Sequence, residues 1–145
     1  ERLRPMWDGL TSFIGGYEQT VTGDTVRIAM NPDGHFYATA KVNGRDTRFL
    51  IDSGATTTAL SARTAAAAGV TVDDSFGAAI ETANGRIVAR RAEIETLELS
   101  GITAKDLPVV VADEFGDTNL LGMNFLAQLG SWRVEGRTLI LEPAK

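Results

Sequence analysis

The residue in this chain best suited to chemistry is Asp52, which follows the apolar run 49–51 and precedes Ser53 and Gly54. An apolar run of this kind predicts a buried strand, and the Asp-Ser-Gly sequence predicts a tight turn where that strand ends. An ionised carboxylate is costly to bury without a partner. The pattern therefore leaves two interpretations: Asp52 bonds the backbone amides of its own turn, or it is a carboxylate held in place for catalysis.

The bulk composition predicts one globular domain. The chain has 145 residues, 43% hydrophobic and 23% charged, and its 15 glycines suit a turn-rich β architecture. A net charge of −5 argues against a nucleic-acid surface. The absence of cysteine excludes thiol nucleophiles, disulfides and cysteine metal sites. The lone histidine, His35, follows a turn signal, so we expect it to be exposed rather than catalytic, and we expect no metal and no cofactor.

Turn signals divide the chain from Thr20 onwards into short strands, which is typical of an all-β barrel or sandwich. Asn43-Gly44 is a strong two-residue hairpin signal, so Asp52 should end the second arm of a hairpin. A second Asn-Gly pair at Ala83-Asn84-Gly85-Arg86 predicts another hairpin. The full set of predicted elements comprises strands over 25–30, 35–42, 45–51, 76–82, 87–95, 96–99, 107–111, 120–122, 132–134 and 138–141 and short helices over 61–69 and 124–129.

The first twenty residues differ from the rest. Pro5 suits the first turn of a helix, and apolar residues then fall at helical spacing: Met6, Trp7, Leu10, Phe13 and Ile14. We therefore predict an N-terminal helix or linker over residues 1–20, ahead of a single domain over residues 21–145. The helix either packs on the flank of the domain or belongs to the linker of a longer protein, and the sequence leaves both interpretations open.

Three separated elements resemble those of one known family. Asp52-Ser53-Gly54-Ala55 is followed by a hairpin and then by Leu120-Leu121-Gly122 with its short helix, so that residues 41–141 resemble a retropepsin-like aspartic protease of the bacterial single-lobe kind. The resemblance implies a closed, flattened β-barrel with few helices. It also favours a periplasmic or membrane-tethered location over the cytoplasm, and it leaves open whether an N-terminal anchor preceded Glu1.

The resemblance also assigns roles to residues. It implies that Asp52 is catalytic and that the residues after it support the active-site loop, with Ser53 bracing the loop and Gly54 contacting the substrate backbone. The remaining roles follow the order of the elements: loop support by Ser53, Gly54 and Ala55, a substrate-binding flap formed by Ala83, Asn84, Gly85 and Arg86, and a floor strand formed by Leu120, Leu121 and Gly122.

A single Asp-Ser-Gly implies a homodimer. Aspartic proteolysis needs two carboxylates that share one proton, and this chain has no second Asp-Ser/Thr-Gly sequence. We therefore expect Asp52 from two subunits to meet on a two-fold axis, with an acidic to mildly acidic pH optimum and a peptide or protein substrate. The residues Leu50, Ala59, Ile87 and Leu120 suggest an apolar lining, hence hydrophobic side chains beside the cleaved bond.

Two positions depart from the retroviral members of the family. Those proteins carry acidic residues just after the catalytic loop, where this chain has Thr56 and Thr57, and an arginine after the downstream glycine, where it has Met123. Both partners of that ionic network are absent, so the retroviral style of dimer contact is not expected. The alternatives to a homodimeric endopeptidase are a peptide-binding module without catalysis on the same barrel and a small β-barrel of unrelated function.

Overall fold

The computed structural model describes residues 19–82 and 85–145 as a predominantly β-structured chain. The predicted N-terminal helix lies outside the described residues, although Gln19 and Thr20, the last two residues of that segment, lie in the first strand. The elements in chain order are β1 (Gln19–Thr22), β2 (Thr25–Ala29), β3 (Phe36–Val42), β4 (Arg45–Ile51), β5 (Thr58–Ser61), α1 (Ala62–Ala67), β6 (Val72–Thr82), β7 (Gly85–Leu99), β8 (Ile102–Ala112), a 3-10 turn (Asp113–Phe115), β9 (Leu120–Leu121), α2 (Met123–Leu126), β10 (Ser131–Glu135) and β11 (Thr138–Glu142).

The strands form two sheets. A 4-stranded sheet has the order β1-β2-β11-β10, and a 7-stranded sheet has the order β3-β4-β9-β5-β8-β7-β6. An additional two-residue ladder joins β3 to β7 through Lys41 opposite Glu98 and Val42 opposite Leu97. The all-β prediction is confirmed. The pairings describe two sheets, and closure of the strands into a barrel stays a prediction.

The hairpin that delivers Asp52 forms where the sequence places it. Asn43 and Gly44 have φ angles of 50° and 87°, and these positive values at both turn residues match the twist of the flanking strands. Residues Val42 and Arg45 pair across the turn, and the register runs to Phe36 opposite Ile51. Asp52 is therefore the first residue beyond a strand whose alignment is fixed along its whole length.

The core lies between the strands and the two short helices. Its largest fully buried side chains are Phe49, Phe125, Ile28, Leu60, Ile94, Leu97, Leu99, Leu107, Leu121, Leu126 and Leu141. Phe49 comes from β4 and Leu121 from β9, while Phe125 comes from α2. Burying each large apolar side chain stabilises the fold by about 2 kcal/mol. This core therefore holds β4, which ends just before Asp52, and β9 in place.

The observed elements differ from the predicted ones in several places: β1 was not predicted, and β6 and β8 begin at Val72 and Ile102 rather than at residues 76 and 107. Residues 87–99 form one strand rather than two, because β7 pairs with β8 along most of its length. The second helix is a single turn over Met123–Leu126 rather than residues 124–129. Thr58–Ser61 was not predicted as a strand but forms β5, a fully buried strand that pairs with β8 in parallel.

Candidate active site

Asp52 stands at the end of β4 in a tight turn. Its backbone N–H donates to the carbonyl of Leu121 at 3.0 Å, and its carbonyl accepts from the N–H of Ala55 at 3.1 Å. Its Oδ1 accepts from the N–H of Gly54 at 2.9 Å. The side chain is half-buried, and among the described residues Oδ2 has no hydrogen-bond partner. The hydrogen bond to Oδ1 therefore fixes the orientation of the carboxylate, and Oδ2 is available to bind another group.

The floor strand β9 lies between the strand before Asp52 and the strand after the loop. Leu50 and Ile51 pair in parallel with Leu120 and Leu121, while Ala59 pairs antiparallel with Leu120. The loop over residues 52–57 therefore passes over the carboxyl end of β9. The structure brings together two elements that the sequence separates by about sixty-five residues, the Asp-Ser-Gly loop and the Leu-Leu-Gly strand.

The loop also meets the first turn of α2. The N–H of Met123 donates to the carbonyl of Ala55 at 2.7 Å, and the N–H of Asn124 donates to the carbonyl of Thr56 at 3.1 Å. The first N–H groups of a helix have no hydrogen-bond acceptor within the helix. Here the carbonyl groups of the loop act as those acceptors. Gly122 makes this contact close: a Cβ added there would lie 2.8 Å from the carbonyl oxygen of Ala55 and 2.9 Å from that of Thr57.

Asn124 ties three segments together around the loop. Its Oδ1 accepts from both the N–H and the hydroxyl of Thr58, at 2.9 and 2.8 Å, and its Nδ2 donates to the carbonyl of Pro108 at 2.7 Å. The Thr58 hydroxyl oxygen in turn accepts from the N–H of Gly122 at 3.1 Å. Thr58 is fully buried. The network fixes the start of β5 against α2 and β8, and thereby the far end of the loop over residues 52–57.

A second asparagine holds the near end of the floor strand. Asn119 is buried, its Oδ1 accepts from the N–H of Ser61 at 2.9 Å, and its own carbonyl accepts from the N–H of Leu50 at 2.9 Å. Asn119 therefore connects β4 with β5 just before β9 begins. Neither asparagine was predicted to have a role. A signal was present in the sequence, since a polar side chain stands on each side of an apolar Leu-Leu-Gly run.

An apolar cluster lies beside the loop, separate from the main core. Its buried members are Ala59, Ala89, Val110 and Ala112, and the half-buried residues Ile87, Phe115 and Leu120 pack against them. Three of the four residues predicted to form an apolar lining, Ala59, Ile87 and Leu120, belong to it. The fourth, Leu50, is half-buried on β4 and pairs with Leu120.

Two of the predicted flap residues, Gly85 and Arg86, lie at the start of β7, which pairs with β6. Gly85 pairs with Thr82 at the last position of the ladder, and Arg86 forms an exposed ion pair with Glu81, 3.0 Å between Nη2 and Oε1. Ala83 and Asn84 lie outside the described residues. Because β7 also contributes Ile87 and Ala89 to the apolar cluster, this hairpin is continuous with that cluster.

The remaining candidate residues are spread over the surface. Ser53 and Gly54 are exposed and Ala55 is half-buried. His35 is exposed, as expected, and its ring contacts Tyr37 edge-on, with ring centroids 6.5 Å apart. Among residues 19–82 and 85–145, no group of three or more histidine or acidic side chains is arranged to hold a metal ion, and no helix is long and apolar enough to cross a membrane.

One surface groove in the described part of the chain lies away from Asp52. It has a volume of about 760 Å³ and is a polar surface groove whose lining includes Asp73, Arg91, Glu93, Glu95 and Asp106. None of its lining residues belongs to the loop, the floor strand or the apolar cluster.

Comparison with known proteins yields a family match and several relatives. Residues 38–128 match the family model described as gag-polyprotein putative aspartyl protease. An uncharacterized protein in the cobV 5′ region of Sinorhizobium sp is 35% identical over 99 residues, covering 67% of this chain and 42% of that protein. The uncharacterized protein RP867 of Rickettsia prowazekii is 29% identical over 133 residues, covering 91% of this chain and 57% of that protein. The chain thus spans about half the length of these curated relatives.

Two solved structures share the fold. A retropepsin-like aspartic protease from Rickettsia conorii superposes with a TM-score of 0.70 at 29% identity, covering 82% of this chain and 90% of that one. The EIAV protease in complex with the inhibitor HBY-793 superposes with a TM-score of 0.61 at 20% identity, covering 74% of this chain and 100% of that one. At this lower identity, the second match concerns the fold alone.

Proposed function

Since this chain belongs to the gag-polyprotein aspartyl protease family, which is retropepsin-like, we propose that it is an aspartic endopeptidase with Asp52 as its catalytic residue. The observation that carries the proposal is the geometry of Asp52 itself. A fixed strand and a buried floor strand position this carboxylate, the N–H of Gly54 orients one oxygen, and the second oxygen is available to a water molecule or a substrate.

A single Asp52 is a poor catalyst for amide hydrolysis, so a second copy must complete the site. Two carboxylates about 3 Å apart cannot both ionise, and they share one proton. The ionised member then removes a proton from a water molecule, and the protonated member polarises the carbonyl of the peptide bond. An isologous dimer supplies this pair from one residue. The Oδ2 atom of Asp52, which has no hydrogen-bond partner among the described residues, supports this arrangement, because the carboxylate of a second copy could face it.

The protonation of such a pair sets the pH dependence. The two carboxyl groups titrate as a unit, and the active form carries one proton between them. Activity should therefore be lost both at low pH, when both groups are protonated, and at high pH, when both are ionised. An acidic to mildly acidic optimum follows.

The substrate is proposed to bind as an extended strand with apolar side chains near the cleaved bond. The cluster around Ala59, Ile87 and Leu120 supports this preference, because it lies beside the loop and is lined by small and branched apolar groups. The β6–β7 hairpin would act as the flap, with residues 83–86 covering the bound peptide. The short β3–β7 ladder supports closure of the larger sheet into a flattened barrel beneath it.

Profiling of peptide cleavage tests the proposal. Wild type and Asp52→Asn are incubated with a peptide library between about pH 3 and pH 8, and products are read by mass spectrometry. We expect the wild type to cleave and Asp52→Asn to lose all cleavage. Asp117→Asn is the matched control, because Asp117, like Asp52, is followed by a hydroxyl side chain but is exposed and paired with Arg63; it should cleave like the wild type.

Two results would count against the proposal. Cleavage that survives in Asp52→Asn would show that another group is responsible. A wild type that binds peptides but cleaves none of them would favour the peptide-binding module instead.

A further inference from the structure

A row of paired residues crosses four neighbouring strands of the 7-stranded sheet beside Asp52. From strand to strand the row consists of Tyr37 on β3, Leu50 on β4, Leu120 on β9 and Ala59 on β5. Asp52 follows Leu50 by two residues, and its N–H continues the bonding between β4 and β9. Because alternate residues of a strand share a face, the side chain of Asp52 belongs to the same face as this row.

The two ends of the row differ in chemistry. The β5 end belongs to the apolar cluster, whereas at the β3 end the guanidinium carbon of Arg48 lies 4.0 Å from the centre of the Tyr37 ring, a cation–π contact. The Tyr37 hydroxyl donates to Oδ2 of Asp33 at 2.6 Å, and Oδ1 of that carboxylate accepts from the backbone N–H of His35 at 2.9 Å. These contacts hold the ring, and with it the guanidinium, in a defined place on the surface.

The residue directly across the hairpin from Arg48 is neutral. Arg48 is exposed and stands opposite Thr39, while the next outward pair along the hairpin, Lys41 and Asp46, forms its own ion pair at 2.9 Å. The Asp33 carboxylate already accepts a hydrogen bond on each oxygen. A guanidinium stacked on a ring keeps its N–H groups in its own plane, in the fork geometry that matches a carboxylate.

We propose that Tyr37 and Arg48 form a substrate-recognition site, the Tyr37–Arg48 site, which binds an acidic side chain of the peptide a few residues from the cleaved bond. The guanidinium of Arg48 donates to the carboxylate of the substrate, and the Tyr37 ring holds the guanidinium in position. This inference rests on the proposed function, because it adds a second determinant to the same substrate. The preferred peptide carries an apolar side chain at the β5 end of the row and Glu or Asp at the β3 end.

The spacing of the sheet sets the distance between the acidic side chain and the cleaved bond. Tyr37 lies one strand away from Leu50, about 4.8 Å, and Leu50 lies two residues before Asp52, about 7 Å along the strand. The Cα atoms of Tyr37 and Asp52 are therefore about 8 Å apart, which an extended peptide spans in about two or three residues. Because the side chains add to this reach, we expect the acidic residue about two to four positions from the cleaved bond.

Cleavage of matched peptides tests the site. Acetylated and amidated peptides with a central Leu-Phe pair carry either Glu or Gln at each of these positions in turn, so that the side chain supplies the only carboxylate. The net charge of −5 on the chain disfavours acidic peptides in general, so a preference for Glu reports a local site. For the best position we expect kcat/KM of the Glu peptide to exceed that of the Gln peptide by about tenfold, mainly through KM.

Substitutions then assign the preference to Arg48. In Arg48→Gln the ratio between the two peptides should fall to within about twofold. Arg45→Gln is the matched control, because Arg45 is also exposed on β4 but lies at the turn end of the hairpin, opposite Val42; it should keep the wild-type ratio. Urea denaturation should give the two variants similar stability. Tyr37→Phe keeps the ring beneath the guanidinium and should retain most of the preference, whereas Tyr37→Ala should lose most of it.

A binding measurement separates this inference from the proposed function. Fluorescence anisotropy of fluorescein-labelled Glu and Gln peptides on the Asp52→Asn variant reports binding without cleavage, and we expect the Glu peptide to bind about tenfold more tightly. Adding Arg48→Gln should remove that difference.

Equal binding of the two peptides, including no binding of either, would overturn the Tyr37–Arg48 site even if the wild type cleaves both. A preference that survives Arg48→Gln, or that Arg45→Gln removes as well, would also overturn it. A preference that Arg48→Gln alone removes would support the site even if no peptide is cleaved, in which case the proposed function alone would fail.

Discussion

Replacing Asn124 with alanine should destabilise the protein and loosen the loop that carries Asp52. The substitution removes two hydrogen bonds to Thr58 and one to the carbonyl of Pro108. Each hydrogen bond contributes about 1 kcal/mol net, and more when a buried donor is left unpaired. Thr58 is fully buried, so we expect the free energy of unfolding to fall by about 3 kcal/mol, measured by urea denaturation at fixed protein concentration.

A neighbouring residue provides the matched control. Gln128 is exposed and donates a single hydrogen bond to the carbonyl of Asn124 at 3.2 Å, so Gln128→Ala should change the free energy of unfolding by no more than about 0.5 kcal/mol. Thr58→Val should lose part of the same network, and the double variant should lose less than the sum. A loss below about 1 kcal/mol in Asn124→Ala would refute the claim that this side chain fixes the loop.

Three further substitutions probe other contacts. Gly122→Ala would set a Cβ 2.8 Å from a loop carbonyl oxygen and should cost about 1–3 kcal/mol in urea denaturation, whereas wild-type stability would show that the loop is free to move. Gln19 is buried and its amide bonds the N–H and carbonyl of Thr39 at 2.7 and 3.1 Å, so Gln19→Ala should lower the melting temperature by several degrees, about 2 kcal/mol; an unchanged melting temperature would contradict this. The hydroxyl of Tyr37, with a backbone N–H, lowers the pKa of Asp33 below its usual 3.8. The stability that Asp33 contributes is therefore present above that value and lost as the pH falls below it. The difference in stability between wild type and Asp33→Asn should shrink as the pH falls from about 6 to about 3, and a difference independent of pH would contradict the assignment.

Local signals in the sequence were enough to predict the strand and turn that carry Asp52. The Asn43-Gly44 turn and the apolar run before Asp52 act over a few residues, and β4 has the predicted bounds Arg45–Ile51. The Ser61 side chain caps α1 by accepting from the N–H of Thr64, as its position before an Ala-rich run predicts.

Long-range pairings could not be predicted in the same way. β5 has the sequence Thr-Ala-Leu-Ser, which shows no alternation because all four residues are buried and because its neighbours β8 and β9 lie far along the chain. The role of Asn124 depends on those same pairings, since Thr58 and Pro108 come within reach only once both strands are in place. The hairpin of β10 and β11 was predicted, but its edge position depends on the order of the whole sheet.

The most direct test of the central claim is to mix the wild type with the Asp52→Asn variant. If each active site needs one Asp52 from each subunit, hybrid dimers are inactive, and adding an equal amount of the variant to a fixed amount of wild type should reduce cleavage to about one half after exchange. A large excess of the variant should reduce it close to zero. Cleavage that is unaffected by any excess of the variant would contradict the account, because each wild-type subunit would then be active by itself.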